Sequence, residues 1–530
     1  MPLKKLVSSD TAVALIKDGD VVAINGFIGF GHPEELSMKI EERFLRLGSP
    51  RNLTLVYAAG QGDYHEKGIN HYAHTGLTKR VICGHIGLAP KLGQLVGRNL
   101  VEGYAFPQGV ITHLFRAIAG GKPGVVTHVG LGTFVDPRLE GGKLNAISKE
   151  DLVQLLTIDG REWMLYKSFP INIALIRGTT ADEAGNITME KEAVLLETLA
   201  IAQAAKNSGG IVIAEVERVA RRGTLNPRDV KVPGILVDLI VVAAKENRRM
   251  SFTIDYDPAL SHELRVPSSK KIDIGLNERK VIGRRAAMEI RHGDIVNLGI
   301  GIPDAIGAVT VEEGMDEHIY FSIESGLIGG IPADGLNLGA AANPDAVIEH
   351  PAQFDFYDGG GLDIAFLGMA QADHQGNVNV SKFGSRVVGP GGFINISQNA
   401  KKVVFCGTFK SGRPNYKISR GKLTITDDGN VNKFVAQVEQ ITFSGQYAQR
   451  VGQEVLYITE RAVFKLTEAG VILIEVAPGV DVKKDILDHM EFQPVLAQPM
   501  QTMDKRIFTE GAMGIREEFL GAGSLEEEVL

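Results

Sequence analysis

Residues in the first half of this chain return, in the same order, in the second. Asp18-Gly19 ends a helical segment and leads into the apolar run Val21-Val22-Ala23-Ile24 and then a glycine-rich loop, Asn25-Gly26-Phe27-Ile28-Gly29-Phe30-Gly31-His32-Pro33. Downstream, a helical segment from Glu278 to Arg291 ends at His292-Gly293-Asp294. The run Ile295-Val296-Asn297-Leu298 and the loop Gly299-Ile300-Gly301-Ile302-Pro303 follow, with Gly293 274 residues after Gly19. Ile171–Leu175 with Asp182-Glu183-Ala184-Gly185-Asn186 is matched by Leu362–Phe366 with Asp373-His374-Gln375-Gly376-Asn377, at an offset of 191. Ile211–Ala214 is matched by Val403–Cys406 at an offset of 192. Short apolar runs alternating with helical periodicity and glycine turns predict α/β units with parallel sheets. The expected fold is two homologous open α/β halves, residues 1–272 and 273–530. The linker is expected in the Pro/Ser/Lys stretch Val266-Pro267-Ser268-Ser269-Lys270-Lys271. The fall in offset implies an insertion of about 83 residues in the first half, between Gly60 and Trp163. Gly521 to Leu530, glycine-containing and acidic, reads as a frayed tail.

The chain's 530 residues are too many for one core, in keeping with two halves. Its 62 glycines belong to turns rather than to a collagen-like period. A net charge of −8 gives no nucleic-acid footprint. Two cysteines, Cys83 and Cys406, cannot build a disulfide framework. No apolar run reaches the length of a membrane span and the start of the chain lacks a signal core, so a cytoplasmic protein is expected.

The second half contains Ile319-Tyr320-Phe321-Ser322-Ile323-Glu324-Ser325-Gly326-Leu327-Ile328-Gly329-Gly330. A strand that ends in a carboxylate and then glycines presents that carboxylate at the carboxyl edge of a sheet, where α/β proteins bind ligands. Little side-chain bulk follows Glu324, so a substrate can come close, and the group suits either a nucleophile or a general base. The repeat aligns Leu55–Gly60 on Phe321–Gly326, which puts Ala58 where Glu324 stands. Only one half keeps the carboxylate, so one chemical half and one supporting half are expected.

Other clusters admit several readings. His65, His71, His74 and His85 lie in the insertion. They read as packing histidines or as a polar pocket lining, and their spacing does not make a zinc site, so no metal is expected. Gly299 and Gly301 lack the third glycine of a dinucleotide fingerprint, with Asp304 in its place. Gly389-Pro390-Gly391-Gly392-Phe393 could form a nest of backbone N–H groups.

The segment around Glu324 resembles the Ser-Glu-Asn-Gly motif of family I CoA-transferases, with Ser325 at the Asn position. Asp18-Gly19, Val22–Ile24, Gly26-Phe27 and Gly31-His32-Pro33 are similar to the family's first-half motif, with Asn25 replacing a glycine. The resemblance covers nearly the whole chain and is strongest to the single-chain propionate and acetate branch. It implies CoA transfer between a short-chain acyl-CoA and a free carboxylate, through a thioester of CoA with Glu324. It further implies backbone donors to CoA or the oxyanion near Gly299, Gly301, Gly391 and Gly392. Lys410 would meet CoA, and Gly26, Phe27 and Gly326 would border the substrate. No tightly bound cofactor and a homo-oligomer, a tetramer, are expected. An acyl-CoA hydrolase that uses the same glutamate with water as acceptor is the alternative.

Overall fold

The computed structural model describes residues 5–267 and 274–523. The 272/273 boundary, most of the expected linker and residues 524–530 of the tail lie outside them.

The first sheet uses seven parallel strands: β1 (Val21–Ile24), β2 (Leu53–Tyr57), β3 (Thr78–Cys83), β4 (Glu102–Ala105), β5 (Ile173–Arg177), β6 (Ile211–Val216) and β7 (Leu239–Val242). Their order is β7-β6-β5-β1-β2-β3-β4. Register is set by pairs such as Val22 with Leu55 and Val22 with Ile173. Every residue of β5 is buried, which is why it reads as a continuous apolar run rather than an alternating one. The expected insertion supplies β3, β4 and an antiparallel sheet from 124–127, 153–158 and 161–167. It also supplies the helix Gln108–Ala119.

The second sheet contains β8 (Ile295–Leu298), β9 (Tyr320–Ile323), β10 (Ile364–Gly368), β11 (Lys402–Cys406) and β12 (Glu454–Ile458), followed by β13 (Ala462–Thr467), β14 (Gly470–Val476) and β15 (Val495–Thr502). Among these eight strands of a ten-stranded sheet the order is β9-β8-β10-β11-β12-β13-β14-β15. The first five strands are parallel, and β13 and β14 add antiparallel pairs. The order β7-β6-β5-β1-β2 in one sheet is repeated as β12-β11-β10-β8-β9 in the other, so the repeat read from sequence is a repeat of topology. Ala58 follows β2 as Glu324 follows β9.

The chain forms two compact units whose membership differs from a simple cut in the middle. One contains residues up to Val266 together with Ile323–Asp355 and Ser381–Asn395. The other contains the chain from Pro267 to Ser322, Phe356–Val380 and the remainder from Ile396. One change of unit falls after Val266. Two segments of the second half, however, fold with the first. Apolar burial explains this: Leu327, Ala340 and Ala341 are buried in one cluster with Phe27, Ile28, Phe30, Leu196 and Phe252. The second unit has its own core, including Val296, Ile364, Phe366, Val404 and Leu456.

Candidate active site

Glu324 is the first residue after β9 and belongs with the first unit. The turn behind it requires its glycine. Gly326 has φ +111°, and a Cβ there would lie 2.2 Å from the Ile348 carbonyl oxygen. Ser325 donates its hydroxyl to the Gly339 carbonyl at 2.5 Å, which ties the turn to the next loop. The side chain of Gln108 lies near the Glu324 carboxyl and favours its charged form. Burial pushes that carboxyl above its ordinary pKa, and Gln108 opposes the rise.

Gln108 is the first residue of helix α1 (Gln108–Ala119), placed there by Pro107. The helix starts close to its neighbours because Gly109 has no side chain. A Cβ at Gly109 would lie 2.5 Å from the Phe354 ring and 2.6 Å from Asn395 Nδ2. Asn395 accepts the Gly109 N–H at 3.1 Å and so satisfies one open donor of the helix end. Helix α1 packs on helix α2 (Thr198–Asn207), whose preceding residue is Glu197. The two helix starts thus bring Gln108 and Glu197 to either side of His350. Gln108 Nε2 lies 3.0 Å from His350 Nε2, and His350 Nδ1 lies 2.6 Å from Glu197 Oε2. Gln108, Glu197 and His350 are each no more than 1% exposed.

The expected glycine and phenylalanine positions fall on both units. Gly26 has φ +148°, and a Cβ there would meet Gln61 Oε1 at 2.6 Å. Phe27 is 3% exposed and meets the His350 ring edge-on at 6.0 Å. The Gly391 carbonyl accepts the Gln108 backbone N–H at 2.9 Å, and the Gly391 N–H is donated to the Gly84 carbonyl at 2.7 Å. Gly392 is buried next to it. All of these share the first unit with Glu324.

Gly299, Gly301 and Lys410 belong to the second unit. The Gly299 N–H is donated to the Phe366 carbonyl at 2.7 Å and the Gly301 N–H to Asp304 at 3.0 Å. Three of the four expected backbone donors are therefore engaged within the chain in this structure. Lys410 Nζ lies 3.3 Å from His489 Nδ1 and 3.9 Å from Asp428, inside a charged cluster that includes the Arg461–Asp428 pair.

The histidines separate into different roles. His71 bonds Glu34 at 3.1 Å and Glu41 at 2.5 Å, and His74 bonds Glu41 at 2.6 Å. His85 is pushed down to about 4, first by burial and then by Arg386. His65 donates its backbone N–H to Asp63. Among the described residues no group of three or more His, Cys, Asp and Glu side chains is placed to hold a metal ion.

Sequence reasoning did not single out Gln108, Glu197 or His350. Pro107-Gln108-Gly109 was the available signal for the first, a polar residue between a helix-starting proline and a glycine. Glu349-His350-Pro351 offered the same kind of signal for His350.

Chemically, the site presents a desolvated carboxylate with one amide donor, backed by a buried carboxylate–imidazole pair and walled by apolar side chains. This suits attack by the carboxylate on an electrophilic carbonyl.

Known proteins of similar sequence and fold are CoA-transferases. The sequence profile described as coenzyme A transferase matches residues 6–243. The chain is 48% identical over 514 residues to caffeate CoA-transferase of Acetobacterium woodii, covering 96% of this chain and 98% of the relative. It is 42% identical over 511 residues to acetate CoA-transferase YdiF of Escherichia coli strain K12, covering 96% of each. Its fold matches the crystal structure of the acyl-CoA transferase YdiF of E. coli O157:H7 in a thioester complex with CoA. That match has TM-score 0.91 and 41% identity, and covers 96% of this chain and 97% of that one.

Proposed function

The chain belongs to the coenzyme A transferase family, and from that premise we propose that Glu324 carries the transfer as a covalent thioester with CoA. The observation that supports it is the Glu324 carboxylate at the end of a strand, its pKa raised by burial, with Gln108 beside it favouring its charged form. A Glu324 oxygen attacks the thioester carbonyl of an acyl-CoA. The C–S bond breaks, and a mixed anhydride and CoA thiolate result. The thiolate attacks the Glu324 side-chain carbonyl, releases the first acid as its carboxylate, and leaves CoA joined to Glu324 as a thioester. An incoming carboxylate attacks this thioester and releases thiolate. The thiolate then takes the new acyl group from the anhydride and frees Glu324. Each step exchanges one acyl bond for another and needs no proton donor.

A carboxylate is a weak nucleophile, so binding of the CoA portion must be used at the reacting carbon. Oxyanions that form along the way need donors. Gln108 and the backbone at Gly392 fit that role best, since the N–H groups of Gly299, Gly301 and Gly391 are engaged elsewhere. The apolar cluster with Phe27, Ile28 and Leu327 keeps water from the anhydride and thioester. That favours transfer over the hydrolase alternative.

The family resemblance supports short acids, from acetate to about butyrate, with the buried side chains of Phe27, Ile28 and Leu327 in the apolar cluster of the same unit. The 48% identity with a caffeate CoA-transferase supports a second acceptor class, an arylpropenoic acid. A panel of acids and acyl-CoAs separates them: turnover highest with arylpropenoates and negligible with acetate to butyrate overturns the short-acid reading. The family resemblance further supports a cytoplasmic homo-tetramer without a tightly bound cofactor. Among the described residues no helix is long and apolar enough to cross a membrane.

The covalent step is tested with wild-type protein and propionyl-CoA alone. CoA is expected on the peptide containing Glu324, reducible by borohydride, and absent in Glu324→Gln, whose transfer activity nearly vanishes. An adduct on another residue, or full activity in Glu324→Gln, overturns the assignment.

A further inference from the structure

Glu197 and His350 take no part in the bond exchanges above, yet both are sealed from solvent beside the group that touches Glu324. We propose that Glu197 and His350 are a positioning dyad that fixes the Gln108 amide with its NH2 group facing Glu324, an inference that rests on Glu324 being the nucleophile.

An amide nitrogen only donates. His350 Nε2, 3.0 Å from Gln108 Nε2, therefore accepts, and the ring proton is on Nδ1. That proton is donated to Glu197 Oε2 at 2.6 Å. The second amide hydrogen of Gln108 is left for the Glu324 carboxyl, whose charged form that side chain favours. With the amide reversed, its oxygen would face the Glu324 carboxylate, two acceptors against each other. Glu197 thus selects the His350 tautomer, the tautomer selects the amide orientation, and the amide orientation decides what Glu324 meets.

The ring cannot turn freely to escape this choice. Phe27 meets it edge-on at 6.0 Å and Phe354 lies against it at 5.2 Å. The His350 backbone N–H is donated to the carbonyl of Leu196, the residue before Glu197, at 3.1 Å. Glu197 Oε1 is buried without a hydrogen-bond partner among the described residues, so the imidazole is the group that this carboxylate serves. Other titratable or charged groups nearby are His85 with Arg386, across Gly391 from Gln108, and His113 and Arg116 on helix α1, which pair with Asp355.

Glu197→Gln tests the dyad. The amide introduced by this substitution can donate to Nδ1, which moves the ring proton to Nε2 and turns the Gln108 amide over. Formation of the Glu324–CoA adduct in a single turnover is expected to slow about tenfold at pH 7. The acidic limb of its pH profile should move up by about one unit, because the ionised carboxylate loses its donor. Glu197→Asp, which keeps the charge, is expected to leave the limb at its wild-type position. In a Gln108→Ala background, Glu197→Gln should move the limb no further. A uniform slowing at every pH with an unmoved limb makes Glu197 merely structural and overturns the proposal.

A second readout does not depend on turnover. Ring 15N NMR of the wild type, with His350 assigned by its loss in His350→Gln, is expected to show the ring proton on Nδ1. A ring protonated at Nε2 overturns the dyad. A ring protonated at Nδ1 in a wild type that forms no adduct at Glu324 removes the nucleophile instead, and with it the purpose assigned to the dyad.

Discussion

At Glu324, burial favours the neutral acid, while Gln108 favours the charge that the chemistry needs. Two outcomes follow at this residue. Hydrogen bonds to charged groups contribute about 1.5–3 kcal/mol. Gln108→Ala should therefore slow adduct formation by about 10- to 100-fold near neutral pH, with less loss at high pH, as read by single-turnover mass spectrometry. Stability has the opposite sign from activity. A carboxyl whose folded pKa is raised contributes stability that is fully present below its unfolded pKa and is lost as pH rises through the folded value. Glu324→Gln carries no such group, so its thermal midpoint should exceed that of the wild type at pH 8. The gap should close as pH falls towards 4.5, and equal midpoints at pH 8 would show that the carboxylate carries no desolvation cost.

Among the elements, the helix Glu34–Leu47 presents Glu34 and Glu41 to His71. Burial works to lower the His71 pKa, but its hydrogen bonds to the two carboxylates override this and raise it to about 9. The sign is that of a raised histidine. Its stabilisation is present in full below the unfolded value of 6.5 and is lost as pH rises through about 9. The amount is at most ~3 kcal/mol. His71→Gln should therefore flatten the loss of stability between pH 6.5 and 9 seen in thermal melts of the wild type. The turn after β9 depends on Gly326 in a different way. Gly326→Ala combines positive φ with a Cβ 2.2 Å from a carbonyl oxygen. It should cost about 1–3 kcal/mol in urea unfolding from the backbone conformation, with the clash in addition. The same shift should misplace Glu324 and reduce adduct formation.

On the scale of the whole molecule, the unit that holds the site is assembled from three pieces of chain. A fragment of residues 1–266 has the first sheet complete but lacks Leu327, Ala340 and Ala341 from its apolar cluster. It also lacks His350 beside Glu197 and Gln108. Each large buried apolar side chain contributes about 1.5–3 kcal/mol, which is large against the marginal stability of a domain. The fragment is expected to melt broadly by circular dichroism where the full chain melts cooperatively. A sharp transition matching that of the full chain would show that the added segments are passengers.

Local patterning along the chain determined the duplicated α/β topology, the place of the insertion and the position of Glu324 opposite Ala58. Apolar runs, glycine turns and the carboxylate after β9 act over a few residues, and their meaning survives without knowledge of distant contacts. The tertiary structure alone decided that Ile323–Asp355 folds with the first unit, and that Gly299, Gly301 and Lys410 belong to the other. It alone joined Gln108 to His350 across 242 residues of chain and His350 to Glu197 across 153. Such pairs leave no period in the sequence. They form because packing brings three helix starts together, at Gln108, Glu197 and His350, and buried polar groups must then find partners among whatever that packing places within reach.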